Sequence, residues 1–283
     1  MDDFGQLLFR TAAFVLDRLP AGLRRILAGA GALLDYVSSP LKRRNVRSNL
    51  EGIGTIADPS SVFSVFRHHA ANMTEIFAAS RWDAETIRKH IPNADTGVIE
   101  EALRKNRGVI LVTVHTGNWE LAALYLSHAG YRMHVVAGVQ MNRMLSSAVK
   151  DAKQRLGIEV INPDNSYRKL FKALSGNGVV ALLLDGDLFT GGAPVELFGK
   201  RVSMPRGAVQ LSKRTGAPVV GGYCRRLDHD RYHIHLEKIL DPETDGPIGE
   251  EESMKRLYGR VEEYITRNSD QWCMFRDFWG DLD

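Results

Sequence analysis

The sequence predicts an α/β fold with a central, largely parallel sheet that helices cover on both faces. From residue 95 onward, short apolar runs alternate with longer segments of helical periodicity. Short apolar runs that are separated by helices are typical of parallel strands buried on both faces. Two of the runs, 217–225 and 231–239, are joined by a short polar segment and therefore predict an antiparallel hairpin towards one edge of the sheet.

The composition indicates one large folded domain, with room for a helical extension. The chain has 283 residues, of which 44% are hydrophobic and 25% are charged. Its two cysteines, Cys224 and Cys273, exclude a disulfide framework and a four-thiolate zinc site. No signal peptide is recognisable and no run approaches the roughly 18 apolar residues of a spanning helix, so we expect a cytoplasmic location. The net charge is only +3, and we expect no nucleic-acid partner.

The first 50 residues predict an arm of two amphipathic helices. Apolar residues three and four positions apart indicate one helix over about 7–19 and a second from Gly22 to about Val37, and the basic segment 41–47 follows. An apolar face beside lysines and arginines is typical of a helix that lies on an anionic membrane surface. Two core-packing helices and a solvated charge run are an equally common explanation. We assign residues 1–50 to this arm and 51–283 to the main domain, without a clear linker between them.

The remaining elements follow from apolar periodicity and turn residues. A long helix is predicted over 59–91, starting at Pro59. Strands are predicted at 108–114, 132–138, 157–162, 179–185, 217–225 and 231–239. Helices are predicted between them and at the end, at 96–106, 119–129, 143–156, 166–176, 205–215 and 251–268.

A histidine directly follows the first buried strand and is the strongest functional signal. In open α/β sheets ligands bind beyond the carboxyl ends of the strands, which is where the sequence places His115. Asn118 is the expected N-cap of the next helix, and Glu120 lies in its first turn. Because only a tight turn separates them, His115 and Glu120 are within hydrogen-bond reach, and such a pair can take a proton from a hydroxyl.

A second strand ends in the same way at Asp185 and Asp187. Three explanations remain open for these carboxylates: orienting a substrate hydroxyl, holding a divalent metal ion, or turn chemistry around Gly186. Two carboxylates alone make a poor metal site, so no metal is expected. The glycines and the proline that follow predict a turn or short hairpin that returns Glu196 towards the sheet.

Basic residues are concentrated between Leu197 and Arg226, where no acidic residue occurs. Such a segment creates a local positive field and predicts an anionic ligand. The chain has neither the Gly-x-Ser-x-Gly motif of serine hydrolases nor a phosphate-binding P-loop. Without a covalent nucleophile, direct attack by a substrate group is the simplest mechanism.

A six-residue motif and four further ordered segments resemble a known family. "HTGNWE" matches the H-x-x-x-x-[DE] signature of the lysophospholipid acyltransferase superfamily, and its Gly-Asn-Trp core is similar to bacterial lipid A biosynthesis acyltransferases and the related phosphatidylinositol mannoside acyltransferases. Segments upstream ("RRNVRSNL", "HHAANMTEIF"), downstream ("LLLDGDLFTGGAPVELFGKR") and near the end ("QWCMFRDFW") agree in order and spacing. The resemblance covers roughly residues 40–280 and implies a glycerolipid-acyltransferase-like fold.

The resemblance implies transfer of a fatty acyl group from acyl carrier protein or acyl coenzyme A to a hydroxyl of a membrane glycolipid or lysophospholipid. The protein would act peripherally, at the cytoplasmic face of the inner membrane, with the acyl thioester as co-substrate and no cofactor. His115 would be the general base and Glu120 its orienting partner. Substrate-binding roles fall to Asn118, Arg155, Asp185, Asp187, Glu196 and Arg206, of which Arg155 and Arg206 would contact a phosphate or the oxyanion.

Two positions depart from the family pattern, and three other functions remain open. Lys153 stands where many members have arginine, and the pair Asp185-Gly186 replaces Asp-Gln, which argues against lipid A itself as the acceptor. The alternatives are a metal-dependent transferase that uses Asp185 and Asp187, an acyl thioesterase, and a lipid-binding protein of the same fold without catalysis.

Overall fold

A six-stranded sheet forms the centre of the molecule. The computed structural model describes residues 18–79, 82–92, 94–136, 153–154, 157–162, 166–185, 192–228 and 230–280. The sheet strands are β1 (Val109–Thr113), β2 (Met133–Val136), β3 (Glu159–Ile161), β4 (Val179–Leu183), β7 (Val219–Arg226) and β8 (Tyr232–Leu240), while β5 (Ala193–Leu197) and β6 (Lys200–Met204) pair as a separate hairpin. The order is β3-β2-β4-β1-β7-β8, and only the edge pair β7–β8 is antiparallel. The predicted fold class is confirmed.

Helices cover both faces of this sheet. Their bounds are α1 (Ala21–Ser38), α2 (Pro40–Gly52), α3 (Pro59–Ala79), α4 (Ala84–His90), α5 (Gly97–Leu103), α6 (Trp119–His128), α7 (Ser166–Ser175), α8 (Gly207–Thr215) and α9 (Glu250–Arg267). Alternate residues of β1 point into two different apolar cores, Ile110 and Val112 into one and Val109 and Leu111 into the other. The apolar runs of the strands are therefore buried on both sides, as the sequence indicated.

Two helix predictions need correction. The predicted helix over 59–91 is two helices, because α3 ends at Ala79 and Asp83 caps the start of α4 by accepting a hydrogen bond from the Thr86 amide. The basic segment 41–47 is itself helical, and Pro40 occupies the first turn of α2. Within α2, Val46 and Leu50 enter the main core.

The N-terminal arm packs against the rest of the protein through small residues, and its large apolar residues are exposed to solvent. Helix α1 buries only Ala28 and Ala32, while Ile26, Leu34 and Val37 keep 64–71% of their surface exposed. Among the helices in the described ranges, none is both long and apolar enough to cross a membrane. Residues 7–17 of the first predicted helix, 7–19, and most of the predicted helix 143–156 lie outside the described residues.

Candidate active site

His115 and Asp185 meet at the carboxyl edge of the sheet because β1 and β4 are parallel neighbours. Their register pairs Thr113 with Leu183, so the two polar residues leave adjacent strands side by side. The imidazole Nδ1 lies 2.9 Å from Asp185 Oδ1, and the His115 amide donates to Oδ2 over 2.9 Å. One carboxylate thus holds both the ring and the backbone of the histidine.

Asp185 is itself fixed by residues from the far end of the chain. Trp272 Nε1 donates to its Oδ2 over 2.8 Å, and Arg276 donates to its backbone carbonyl over 3.2 Å. Burial by itself raises the pKa of this carboxyl, but the neighbouring His115 and the hydrogen bonds from His115 and Trp272 outweigh it, and the net pKa is lowered. Asp185 is therefore an ionised, fully buried acceptor.

The imidazole keeps one nitrogen for a ligand. Because the ionised Asp185 can only accept, we assign the proton of a neutral His115 to Nδ1, which leaves the lone pair on Nε2. Nε2 has no hydrogen-bond partner in the described part of the chain, and 28% of the side chain is exposed. The Trp119 ring packs edge-to-face against the imidazole at 4.9 Å and limits its rotation. This arrangement suits a general base.

Glu120 does not lie where the sequence placed it. It projects from the first turn of α6 to Lys153, 2.7 Å away, and both side chains are more than nine-tenths buried. Within the described residues this is its only hydrogen-bonding partner, so Asp185 occupies the position beside the imidazole that was predicted for Glu120. The reason is long-range: the strand that neighbours β1 brings a carboxylate closer than the helix that follows it.

Replacing Lys153 by methionine is expected to destabilise the fold by about 3–5 kcal/mol, since the Glu120 charge would stay buried without its partner. The double variant Glu120→Gln/Lys153→Met should recover most of this loss. Urea unfolding measures both. As a control, Lys89→Met removes half of the exposed pair with Glu85 and should cost less than about 1 kcal/mol. Equal losses in the two single variants would contradict a structural role for the buried pair.

The loop after His115 is held against β7 at very short range. Gly117 has φ +65°, and a Cβ atom there would lie 1.8 Å from the Cys224 carbonyl oxygen. The next amide, of Asn118, donates to the same carbonyl over 2.9 Å. Asn118 Oδ1 accepts from the Leu121 amide, which confirms its predicted role as N-cap of α6. The glycine is needed for both its conformation and its lack of a side chain.

Gly117→Ala is expected to lower the free energy of unfolding by more than about 3 kcal/mol, because the cost of a left-handed alanine adds to a clash with backbone that cannot move aside. Gly54→Ala is the matched control: Gly54 has φ +76° and no atom within 4 Å of an added Cβ. Gly54→Ala should lower the free energy of unfolding by only about 1 kcal/mol. Chemical denaturation distinguishes the two, and similar losses would refute the close contact with Cys224.

A buried polar network supports the loop from behind. Arg226 donates to both carboxylate oxygens of Glu75, and the Tyr232 hydroxyl and the Asn118 amide group donate to the same carboxylate. Asn72 accepts from Arg226 and donates to a carbonyl of the loop. Because each of these side chains is hydrogen-bonded to at least one other, the network ties the loop to α3 and to the β7–β8 hairpin.

The other predicted site residues are dispersed. Glu196 is exposed on β5, opposite Arg201 in the hairpin, and Arg206 lies 3.4 Å from Glu250. Arg155 and Asp187 lie outside the described residues. Sequence reasoning missed Trp272 and Arg276 as partners of Asp185, although the segment "QWCMFRDFW" was one of those that carry the family resemblance.

Neither cysteine is a nucleophile. Burial raises the pKa of both Cys224 and Cys273 to about 12, so both thiols are neutral at physiological pH. In the parts of the chain that the structure describes, no three His, Cys, Asp or Glu side chains are grouped closely enough to bind a metal ion. The described polar chemistry at the carboxyl edge is centred on His115.

Fold and site together define a class: an α/β protein in which a carboxylate-held histidine at the carboxyl edge of the sheet can accept a proton from a bound hydroxyl. The chain belongs to the bacterial lipid A biosynthesis acyltransferase family, whose profile matches residues 5–280.

Three curated relatives are phosphatidylinositol mannoside acyltransferases. One, from Mycobacterium tuberculosis strain H37Rv, is 31% identical over 185 residues, which cover 64% of this chain and 57% of the relative. A second, from M. tuberculosis strain CDC 1551, is 30% identical over 211 residues, which cover 72% of this chain and 66% of the relative. A third, from Mycolicibacterium smegmatis, is 24% identical over 216 residues, which cover 75% of this chain and 69% of the relative. The match thus spans less than two thirds of the first two relatives.

Proposed function

We propose that the protein is an O-acyltransferase that moves a fatty acyl group from acyl carrier protein or acyl coenzyme A to a hydroxyl of a membrane glycolipid. The observation that carries the proposal is the pairing of His115 Nδ1 with buried, ionised Asp185, which leaves Nε2 free to accept a proton. Membership of the family and the glycolipid acyltransferase names of the relatives support the acyl and lipid chemistry. A lysophospholipid-like acceptor remains within the proposal.

The proposed reaction needs no covalent enzyme intermediate. Nε2 of His115 removes the proton of the acceptor hydroxyl as its oxygen attacks the thioester carbonyl. The imidazolium that forms is stabilised by the negative charge of Asp185. When the tetrahedral intermediate collapses, the C–S bond breaks and the imidazolium returns the proton to the leaving thiolate. Glu120 contributes indirectly, by anchoring Lys153 and the segment that leads into β3.

We also propose that the protein works at the cytoplasmic face of the inner membrane, where acyl thioesters are available. The apolar residues on the outer face of α1 recur at helical spacing, and Arg44 and Arg47 are exposed on α2, the helix that directly follows. An exposed apolar stripe of this kind marks an interaction surface, and the adjacent cations favour anionic lipid as its partner.

The decisive experiment offers labelled acyl carrier protein and acyl coenzyme A thioesters to a panel of glycolipids, including phosphatidylinositol mannosides, and lysophospholipids. Mass spectrometry should find an acylated acceptor in one combination. Release of free fatty acid with no acylated product would make the protein a thioesterase. Loss of transfer on chelation would favour a metal-dependent transferase, and tight lipid binding without turnover of any thioester would leave only a binding function.

A further inference from the structure

A cleft of about 590 Å³ lies beside the candidate active site, at the carboxyl end of β7. Its lining residues come from α1, α3, α4, the turn between β7 and β8, and the segment after α9. Glu75 and Gln271 line it, and both also contact the loop after His115, through the Asn118 side chain and the Gly117 amide. The cleft and His115 therefore share one wall, but His115 is not among the residues that line the cleft.

The cleft contains more positive charge than its own carboxylates neutralise. Five arginines and four carboxylates line it. Two of the arginines are engaged, Arg226 with Glu75 and Arg25 with Asp230. In the described part of the chain, the other three, Arg24, Arg67 and Arg225, form no ion pair with a carboxylate.

The remaining carboxylates do not compensate for them. Asp228 pairs with Arg231, which is not one of the lining residues, and half-exposed Asp270 lies 3.8 Å from His68. Burial and, after it, the nearby Arg226, Arg67 and Arg225 together lower the pKa of His68 to about 3. The imidazole is therefore neutral at physiological pH, and the arginines around it create a field that favours an anion.

Helix α1 connects this cleft to an apolar surface. Arg24 and Arg25 on its inner face line the cleft, whereas Ile26, Leu34 and Val37 are exposed on its outer face. An α-helix with its side chains is about 10 Å wide, so a bilayer that covers the outer face would bring lipid phosphates within about one helix diameter of the arginines. The planar guanidinium of arginine can donate two parallel hydrogen bonds to two oxygens of one phosphate group, which makes arginine well suited to bind phosphate.

We propose that this cleft binds the phosphodiester headgroup of an anionic membrane phospholipid, with Arg67 and Arg225 as the phosphate ligands. Headgroup binding in the cleft would place the active site next to the headgroup layer of the membrane, where a lipid acceptor lies. The inference rests on the proposed membrane location. Headgroup binding can nevertheless be measured without an acyl donor. It is therefore tested separately from acyl transfer.

The test measures binding of the 283-residue protein to phosphatidylcholine vesicles with and without phosphatidylglycerol. Arg67→Gln/Arg225→Gln should weaken binding to the anionic vesicles by about 30-fold, which corresponds to about 1 kcal/mol for each arginine. The matched control is Arg104→Gln/Arg107→Gln, because both arginines are exposed just before β1, at the opposite edge of the sheet. It should change binding by less than about twofold, since charges farther apart than a Debye length are screened.

Soluble probes identify the source of the phosphate. Glycerophosphoglycerol, the deacylated headgroup, should compete with anionic vesicles for the wild-type protein and not for Arg67→Gln/Arg225→Gln. Equal weakening by the two double variants would show a diffuse charge effect and overturn the proposal. Tight binding of inorganic phosphate or coenzyme A that needs the two arginines, without preference for anionic vesicles, would also overturn it, because the ligand would then be a soluble phosphoester. Thermal unfolding should confirm that all variants are folded.

Discussion

Replacing His115 by alanine is expected to lower the rate of acyl transfer by about 10²- to 10⁴-fold, the contribution of a well-placed general base. The physical reason is that alanine removes the Nε2 lone pair that accepts the proton of the acceptor hydroxyl in the proposed reaction. Because the imidazole is 28% exposed and stands at the end of β1 rather than in its core, the variant should fold normally. The measurement is kcat with an acylated donor and the acceptor found in the substrate panel.

His128→Ala is the matched control for this prediction. His128 lies at the far end of α6, where its Nδ1 contacts the Leu124 carbonyl of the same helix. Its loss should leave kcat nearly unchanged. If the His115 variant retained near-full transfer while remaining folded, the proposed chemistry would be wrong, whatever the family of the protein.

Asp185→Asn is expected to reduce kcat by about 10²- to 10⁴-fold with little change in the shape of the site. Asparagine is isosteric, but it has one oxygen to accept from three donors, the amide and Nδ1 of His115 and Nε1 of Trp272. The imidazole would then favour the tautomer with its proton on Nε2, which cannot accept a proton from the substrate. KM should change less than kcat, because Asp185 contacts the histidine and not the acceptor.

Glu120→Gln discriminates between the two possible partners of the imidazole. If Asp185 orients His115, the Glu120 variant should lose stability more than catalysis, since its contact is with Lys153. A larger loss of kcat in Glu120→Gln than in Asp185→Asn, at a temperature where both are folded, would restore the His115–Glu120 dyad that the sequence predicted.

The difference in folding stability between the wild type and Asp185→Asn is also expected to depend on pH. The lowered pKa of Asp185 in the folded state means that folding favours the ionised form. This contribution is present above the unfolded-state pKa of about 3.9 and is lost as pH falls through the lower folded-state pKa. The stability gap between wild type and Asp185→Asn should therefore shrink below about pH 4.

Much of the architecture was predictable because its signals are local. The apolar runs that became β1, β4 and β7 lie within a few residues of their predicted positions, and the β7–β8 hairpin was confirmed. Helix α2 escaped prediction because its apolar contacts, through Val46 and Leu50, are sparse within a strongly charged segment. A charge run and a short amphipathic helix look alike until the partner surface is known.

The chemistry of the site was only half predictable. That His115 and Asp185 follow buried strands is visible in the sequence, since a polar residue after an apolar run has no packing reason to be there. That they touch depends on β4 being the neighbour of β1, and strand order is a long-range property. Trp272 and Arg276 reach Asp185 across some 90 residues of chain, a distance at which no spacing rule applies.

The sequence by itself determined the α/β class, the histidine at a strand end, the helix cap at Asn118 and the resemblance to lipid acyltransferases, because each depends on residues that are close together in the chain. Tertiary structure alone set the partner of the imidazole, the burial of Glu120 against Lys153 and the outward apolar face of α1. Those features depend on which distant segments share a cavity or a surface. Contacts of that kind are fixed by packing of the whole chain and leave no local pattern.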